Sequence, residues 1–231
     1  LIGENGAGKS TIIKSILGAV HPDGGNILFN GREILKVGKK ERQQISFVLD
    51  DTGLPMELNL AMLDNVLSCI YDKWDSSKFR ELVRQFALSE KKLFKDFSKG
   101  MKMKAAIAVA LSYDSTILIL DEPTSGLDPV VRDEILEMIY NYNKDGNRAV
   151  LLSSHITSDL EKICDYIVYI HDGKIIFNEE KDVLLNKYAV YSIDEKKLGE
   201  LDGDAFVRII RREYGMEVLA EKDKMPHDFE Y

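Results

Sequence analysis

The sequence has few cysteines, few histidines and no long apolar run, and each scarcity excludes a class of protein. Its two cysteines, Cys69 and Cys164, are far apart and form no CxxC motif, which favours reduced thiols over a disulfide framework. The four histidines lack the spacing to cysteine or carboxylate that a zinc site needs. No apolar run approaches the ~20 residues that cross a bilayer. If the protein works at a membrane, we expect another chain to supply the membrane part.

Positively charged residues are fewer than negatively charged ones. The 231 residues include 31 Lys and Arg against 39 Asp and Glu, which gives a formal net charge of −8. A protein that binds the nucleic-acid backbone usually presents a basic face, so no nucleic-acid partner is expected. Hydrophobic residues make up 45% of the chain and charged residues 30%, which are ordinary proportions for a globular protein. This length allows one large domain, with or without a small appendage.

Strand-like and helix-like apolar patterns alternate along most of the chain. The run Ile117-Leu118-Ile119-Leu120 ends in two acids, as a central strand buried on both faces would. The alternation predicts an α/β fold with a doubly wound, mostly parallel sheet. Turn residues around Gly25–Phe29 predict a small antiparallel β portion. Helical periodicity over about residues 57–111 predicts a separate helical subdomain.

The two ends of the sequence have a different character. Leu1-Ile2 look like the last residues of a strand, and we expect that strand, with other N-terminal strands, to begin before the sequence given. From about residue 180 the chain is charged with short apolar patches, which predicts a small accessory αβ segment over residues 180–231. Within it, Arg208, Arg211 and Arg212 are interpreted as a solvated helix face.

The first motif of the chain, Gly3-Glu4-Asn5-Gly6-Ala7-Gly8-Lys9-Ser10, fits GxxxxGK[ST]. Glycines let such a loop wrap so closely that backbone N–H groups converge on phosphate oxygens, and the following helix presents its N-terminus to the same charge. Lys9 is expected to reach the β- and γ-phosphates of ATP, and the Ser10 hydroxyl to bind Mg²⁺. A chance glycine turn is the alternative. The predicted nucleotide-binding residues of the loop are Asn5, Gly6, Ala7, Gly8, Lys9, Ser10 and Thr11.

Two carboxylates directly follow the most apolar strand. Asp121 lies where a strand-end carboxylate meets the phosphate loop, and it can hold Mg²⁺ through water. The adjacent Glu122 can polarise the attacking water. A polar strand end is common by itself, but its combination with the loop at Lys9 predicts nucleotide hydrolysis.

A longer stretch around these carboxylates resembles the Walker B motif and D-loop of ATP-binding-cassette (ABC) ATPases. It reads Asp121-Glu122-Pro123-Thr124-Ser125-Gly126-Leu127-Asp128-Pro129. Phe97-Ser98-Lys99-Gly100-Met101 stands where that family has its signature, and His155, after Ser153-Ser154, where it has its switch histidine. The resemblance extends from Leu1 to about Phe177.

The resemblance implies an ABC ATPase domain over residues 1–179. It implies catalytic roles for Lys9, Glu122 and His155, and contact of Ser98 and Gly100 with ATP that a partner subunit holds. A histidine at this place is by itself more often structural than catalytic. The implied ligands are ATP and Mg²⁺.

The sequence departs from the family pattern at two places. The commonest signature of the family is LSGGQ; here Lys99 replaces its first glycine and Met101 replaces its glutamine. In addition, Lys99, Lys102 and Lys104 lie close together at a helix N-terminus, where the macrodipole disfavours cations. A phosphate from another subunit would offset this charge; exposed lysines that are merely tolerated are the alternative. The second departure is Asp50, which stands where the family has a glutamine. Asp50 is expected to ligate Mg²⁺ or to orient water, although it cannot donate as an amide does.

Three functions fit the resemblance to different degrees. The first is the motor of a transporter, of the exporter-type branch whose ATPase and permease are separate chains. Its partners would be a membrane permease and a second ABC ATPase subunit, in a homodimer or heterodimer at the cytoplasmic face of the membrane. A soluble ATPase acting on DNA or ribosomes would carry a long coiled coil or two cassettes, which the sequence lacks. A regulator with a dead site conflicts with Lys9, Asp121, Glu122 and His155.

Overall fold

The computed structural model describes residues 1–193, 206–212 and 215–225. The helices in these ranges are α1 (Lys9–Ile16), α2 (Lys39–Arg42), α3 (Leu60–Ile70), α4 (Ser76–Gln85), α5 (Lys99–Leu111), α6 (Pro129–Tyr142), α7 (Thr157–Ile163) and α8 (Lys181–Lys187). The strands are β1 (Leu28–Phe29), β2 (Arg32–Glu33), β3 (Ile45–Val48), β4 (Ile117–Asp121), β5 (Ala149–Ser153), β6 (Tyr166–His171), β7 (Lys174–Glu180), β8 (Tyr188–Ile193), β9 (Phe206–Arg212) and β10 (Gly215–Glu221). None of the helices within these ranges has the length and apolarity to cross a membrane.

A parallel sheet forms the centre of the fold. Strands β3, β4 and β5 lie side by side in that order, and both pairs are parallel. Ile2 makes parallel bridges to Ser154 and Tyr169, which places the start of the chain between the segment that follows β5 and strand β6. The predicted mostly parallel α/β fold is confirmed. The middle residues of β4 are almost completely buried, as expected for a strand covered on both faces.

The parallel arrangement determines where polar side chains gather. The carboxyl ends of parallel strands meet at one edge of the sheet, and there the ligands of open α/β folds bind. Asp121 ends β4, and Ser153 ends β5 directly opposite it in register. The glycine-rich loop directly follows Ile2, and it begins at this same edge of the sheet.

A short antiparallel pair, β1 and β2, confirms the predicted small antiparallel portion. Asn30 and Gly31 form its turn with φ of 49° and 78°, the left-handed backbone that favours Asn-Gly in tight hairpins. Phe29 packs with Ile13 of α1 and Ile119 of β4 in one buried cluster. This cluster anchors the helix that follows the glycine-rich loop.

Helices α3, α4 and α5 occupy the stretch with helical periodicity, and each begins at a capping side chain. Asn59, Asp75 and Ser98 accept hydrogen bonds from the backbone N–H groups of Met62, Lys78 and Met101, respectively. Such caps satisfy amides that have no partner within the helix. The starts of these helices are therefore encoded locally.

The chain divides into two compact units. The first comprises residues 1–163 and 169–176, and the second comprises residues 164–168 and the chain from Phe177 onward. In the second unit β10 pairs antiparallel with β8 and β9 around a buried cluster that includes Tyr191, Val218 and Met225. Arg208, Arg211 and Arg212 lie on β9, so their interpretation as a helix face was wrong. A short apolar run fits both periodicities, and pairing with β10 decides for a strand.

Candidate active site

The glycine-rich loop and the ends of β3, β4 and β5 enclose a cavity of about 380 Å³. The residues that line it are Asn5, Gly6, Gly8, Lys9, Ser10, Thr11, Asp50, Glu122, Ser125 and His155. The structure thus brings together most of the side chains predicted from the sequence. Ala7, within the loop, is buried and does not line the cavity. Ser125 was not predicted as a site residue, although it belongs to the motif that contains Glu122.

The backbone of the loop suits an anion. Gly8 has φ of 107°, which residues with a side chain rarely adopt, and a Cβ on Gly3 would lie only 2.4 Å from the carbonyl oxygen of Ile170. Helix α1 begins at Lys9 with no capping side chain and no acidic residue in its first turn. Its N-terminal amides are therefore left to a ligand, and the helix dipole favours a negative one. This arrangement fits the phosphates of a nucleotide.

Lys9 is a buried cation that points into the site. Only 5% of the residue is exposed. Its Nζ donates to the carbonyl oxygens of Gly3 at 2.7 Å and Glu4 at 3.2 Å, and lies 3.2 Å from Oε1 of Glu122. A buried ammonium needs such partners to offset its lost hydration. The three contacts place the charge of Lys9 beside the carboxylate predicted to act on water.

Glu122 is held from several sides in a strained backbone conformation. Its φ of 51° lies in the left-handed region, which a glutamate seldom adopts. Its backbone N–H donates to the carbonyl oxygen and to Oγ of Ser153, both at 3.1 Å. Its Oε2 lies 2.7 Å from Nδ1 of His155 and accepts from the backbone N–H of His155 at 3.3 Å. Such strain persists only where the surrounding structure over-determines it, and it clusters at functional sites.

Asp121 lies behind Glu122 and is buried. Its Oδ1 accepts a hydrogen bond from Oγ of Ser153 at 2.5 Å. Ser153 thus contacts the carboxylate of Asp121 and the backbone N–H of Glu122, a role that the sequence analysis missed. The available signal was its position: a serine that ends one parallel strand lies beside an aspartate that ends the next.

Ser98 and Gly100, predicted from the family's signature, are not among the residues that line this cavity. Ser98 accepts the backbone N–H of Met101 at 3.2 Å as the cap of α5. A Cβ on Gly100 would lie 3.7 Å from the side chains of Leu127 and Val131. Within one chain, therefore, neither Ser98 nor Gly100 lines the cavity at the nucleotide loop.

Two of the three lysines near the start of α5, Lys99 and Lys104, have carboxylate partners of their own. Lys99 Nζ lies 3.2 Å from Asp50 Oδ1, and Lys104 Nζ lies 2.5 Å from Glu134 Oε2. These contacts offset the unfavourable helix dipole, so Lys99 and Lys104 need no phosphate from another subunit to explain their position. They also show that the two departures from the family pattern, Asp50 and Lys99, lie beside each other.

Comparison with protein families and known proteins gives a consistent result. The model of the ABC transporter family matches residues 1–125. A second model, described as an AAA domain, putative AbiEii toxin of a type IV toxin–antitoxin system, matches residues 93–158.

Individual proteins extend the similarity beyond those matches. The lantibiotic transport ATP-binding protein SrtF of Streptococcus pyogenes is 38% identical over 186 residues, which cover 79% of this chain and 78% of the relative. The bacitracin transport ATP-binding protein BcrA of Bacillus licheniformis is 35% identical and covers 76% of this chain and 58% of its own. A solved ATP-binding subunit of an ABC transporter superposes with a TM-score of 0.70 at 33% identity, covering 79% and 78% of the two chains.

Proposed function

This chain belongs to the ABC transporter family of ATP-binding proteins, and from that premise we propose how its residues bind and hydrolyse ATP to drive transport. The family assigns it ATP binding, ATPase activity and a membrane permease as partner. The assignment of roles to individual residues, the use of Mg²⁺ and the type of dimer are parts of the proposal.

One observation carries the assignment of the catalytic residue. Glu122 lines the same cavity as the phosphate loop. Its Oε1 lies 3.2 Å from Nζ of Lys9, and its Oε2 lies 2.7 Å from Nδ1 of His155. A carboxylate so placed can accept a proton from water, and a neighbouring histidine can orient it or sense the γ-phosphate. Glu122 is accordingly the general base, and His155 its partner.

The glycine-rich loop and the start of α1 bind the nucleotide. Backbone N–H groups from Asn5 to Thr11 and the ammonium of Lys9 contact the phosphates. Ser10 and Asp121 would hold Mg²⁺, with Asp50 close enough to the cavity to assist. Few protein ligands are needed, because Mg²⁺ at such sites is bound by one or two protein oxygens together with phosphates. When bound, the ion neutralises negative charge that develops on the phosphates.

A second subunit completes each site. Ser98 and Gly100 stand apart from the cavity of their own chain, which supports their action on ATP held by a partner. Two chains in head-to-tail order, as a homodimer or heterodimer with another ABC ATPase, would then enclose two nucleotides. The permease places this dimer at the cytoplasmic face of the membrane. The transport of a lantibiotic and of bacitracin, for which two relatives are named, supports an exporter of drugs or peptides.

The substitution Glu122→Gln tests the central role. The amide keeps the size of the side chain but cannot take up a proton, so we expect nucleotide affinity to persist while turnover falls about 10²–10⁴-fold. Steady-state ATPase rates and equilibrium binding of a fluorescent ATP analogue measure the two quantities. Glu137→Gln, an exposed glutamate on α6, serves as the control. A Glu122→Gln subunit with most of its turnover would remove Glu122 from the role of base.

A further inference from the structure

Asp159, on α7, is a completely buried carboxylate to which the proposed mechanism gives no role. Its Oδ2 accepts a hydrogen bond from Oγ1 of Thr124 at 2.6 Å, and its Oδ1 accepts one from Nε of Arg132 at 2.6 Å. Nη2 of Arg132 forms an ion pair with the same Oδ1 and donates to Oγ of Ser158 at 2.8 Å. One carboxylate therefore joins the segment after β4, the first turn of α6 and the first turn of α7.

These three segments flank the catalytic pair. Thr124 comes two residues after Glu122, and Asp159 comes four residues after His155. Thr124 is itself only 2% exposed. The hydrogen bond between Thr124 and Asp159 thus ties the chain just beyond the base to the helix just beyond the histidine. Arg132 adds a third attachment, at the start of the helix that follows the D-loop.

The backbone at Glu122 needs such attachments. Its positive φ is unfavourable for a residue with a side chain, and an unfavourable conformation relaxes unless the chain is fixed on both sides. Ser153 fixes the residue directly through two hydrogen bonds to its N–H. Thr124 is held on the C-terminal side by Asp159, which is too deeply buried to exchange this partner for water.

We propose that Asp159 is a positioning residue for ATP hydrolysis, which through Thr124 and α7 fixes Glu122 against His155. The inference rests on the proposed role of Glu122 and extends it to a residue that the family's motifs do not include. Asp159 and Thr124 are not among the residues that line the cavity. Their loss should therefore affect the chemical step far more than the binding of nucleotide.

The first unit contains a matched control. Asp64 on α3 is also a buried aspartate, and it accepts from a hydroxyl, Ser76, at 2.7 Å and from an arginine, Arg80, at 3.0 Å. The network around Asp64 includes none of the residues that line the active-site cavity. Asp64→Asn and Asp159→Asn thus remove the same kind of buried charge. Of the two residues, Asp159 is connected to Glu122 and Asp64 is not.

The test compares four variants of the full-length subunit in complex with its permease. Asp159→Asn and Thr124→Val should lower kcat about 10- to 100-fold, the loss typical of a small misplacement of a catalytic group. The half-saturating ATP concentration should stay near the wild-type value. Thr124→Ser, which keeps the hydroxyl, should retain most of kcat. Asp64→Asn should lower the melting temperature but leave kcat near the wild-type value at a temperature where it is folded.

Two results would overturn the proposal. One is a folded Thr124→Val subunit with the kcat of the wild type. The other is an equal loss of kcat in Asp64→Asn and Asp159→Asn, which would reduce Asp159 to an ordinary structural residue. Glu122→Gln is assayed in parallel. If it is inactive while the Asp159 and Thr124 variants keep full kcat, only the positioning role fails; if it keeps turnover, the proposed base fails first.

Discussion

At the scale of the residue, the contacts of the site converge on Glu122 and Lys9. The two side chains form an ion pair, and each also contacts the main chain or side chain of a neighbouring segment. Charge-assisted contacts of this kind are stronger than neutral hydrogen bonds, and their strength grows where water is excluded. When a nucleotide binds, we expect Lys9 to exchange Glu122 for a phosphate, because the phosphate is negatively charged. Glu122 is then expected to exchange Lys9 for the water molecule.

Lys9→Ala should weaken nucleotide binding itself. The substitution deletes a charge-assisted contact to phosphate worth about 1.5–3 kcal/mol, which corresponds to roughly 10- to 150-fold in Kd. It also removes the hydrogen bonds to Gly3 and Glu4 that hold the loop. Equilibrium titration with a fluorescent ATP analogue measures the change. Lys14→Ala, an exposed lysine on the same helix, should bind normally, and an unchanged Kd for Lys9→Ala would refute its phosphate role.

At the scale of the element, the loop after β3 and the start of α5 are joined by Asp50 and Lys99. Both side chains are about half exposed, and exposed ion pairs contribute at most about 1 kcal/mol to stability. The pair therefore contributes little to stability, and we expect Asp50 to exchange Lys99 for a metal ion. Its position in the cavity lining is the reason to expect this exchange.

Asp50→Ala should raise the Mg²⁺ concentration for half-maximal hydrolysis more than the ATP concentration. The reason is that a carboxylate near the site attracts the ion, whereas the nucleotide is held by the loop. Lys99→Ala is the control, because it breaks the same ion pair but keeps the carboxylate. A parallel change in both concentrations, or the same Mg²⁺ dependence in the two variants, would make Asp50 a structural acid at the strand end.

Asp64 makes the packing of α3 against α4 sensitive to acid. Burial alone would raise the pKa of this carboxyl, but hydrogen bonds from Ser76, Trp74 and Arg80 outweigh it and lower the pKa below its ordinary value of 3.8. A lowered folded-state pKa stabilises the fold above the unfolded-state pKa, and this contribution is lost as the pH falls through the folded-state pKa.

The expected consequence appears in chemical denaturation. Asp64→Asn should lower the free energy of unfolding at pH 7 by about 1.5–3 kcal/mol, the usual value of hydrogen bonds to a charged group. The difference from the wild type should stay constant down to about pH 5 and shrink below about pH 4. A difference that is independent of pH over this range would show that the charge of Asp64 is not what stabilises the helices.

The sequence predicts some elements of this fold and not others for physical reasons. The parallel sheet is predictable because Ile117–Leu120 carries a local signal of two-sided burial, and the glycine-rich loop because few backbones other than glycine can form it. The strand at Arg208 is not predictable, because pairing with β10 selects it over a helix. The contact of Thr124 with Asp159 joins residues 35 positions apart, and no local pattern encodes it.

At the scale of the whole molecule, we propose that each nucleotide site is shared between two chains. The phosphate loop and Glu122 share a cavity, whereas Ser98 and Gly100 lie outside it. In the head-to-tail dimer that we propose, each nucleotide takes Lys9 from one chain and Ser98 from the other. ATP binding then closes the dimer, hydrolysis reopens it, and the permease converts this motion into transport.

Mixing two inactive variants tests this account most directly. Lys9→Ala and Ser98→Arg homodimers should both be inactive, the second because a bulky cation fills the space meant for phosphate. In a mixed dimer both defects fall at one site, and the other site combines an intact Lys9 with an intact Ser98. Mixing the two variants should therefore restore part of the ATPase activity once subunits have exchanged. Background activity in a mixture whose heterodimers are confirmed by tagged-subunit pull-down would contradict it.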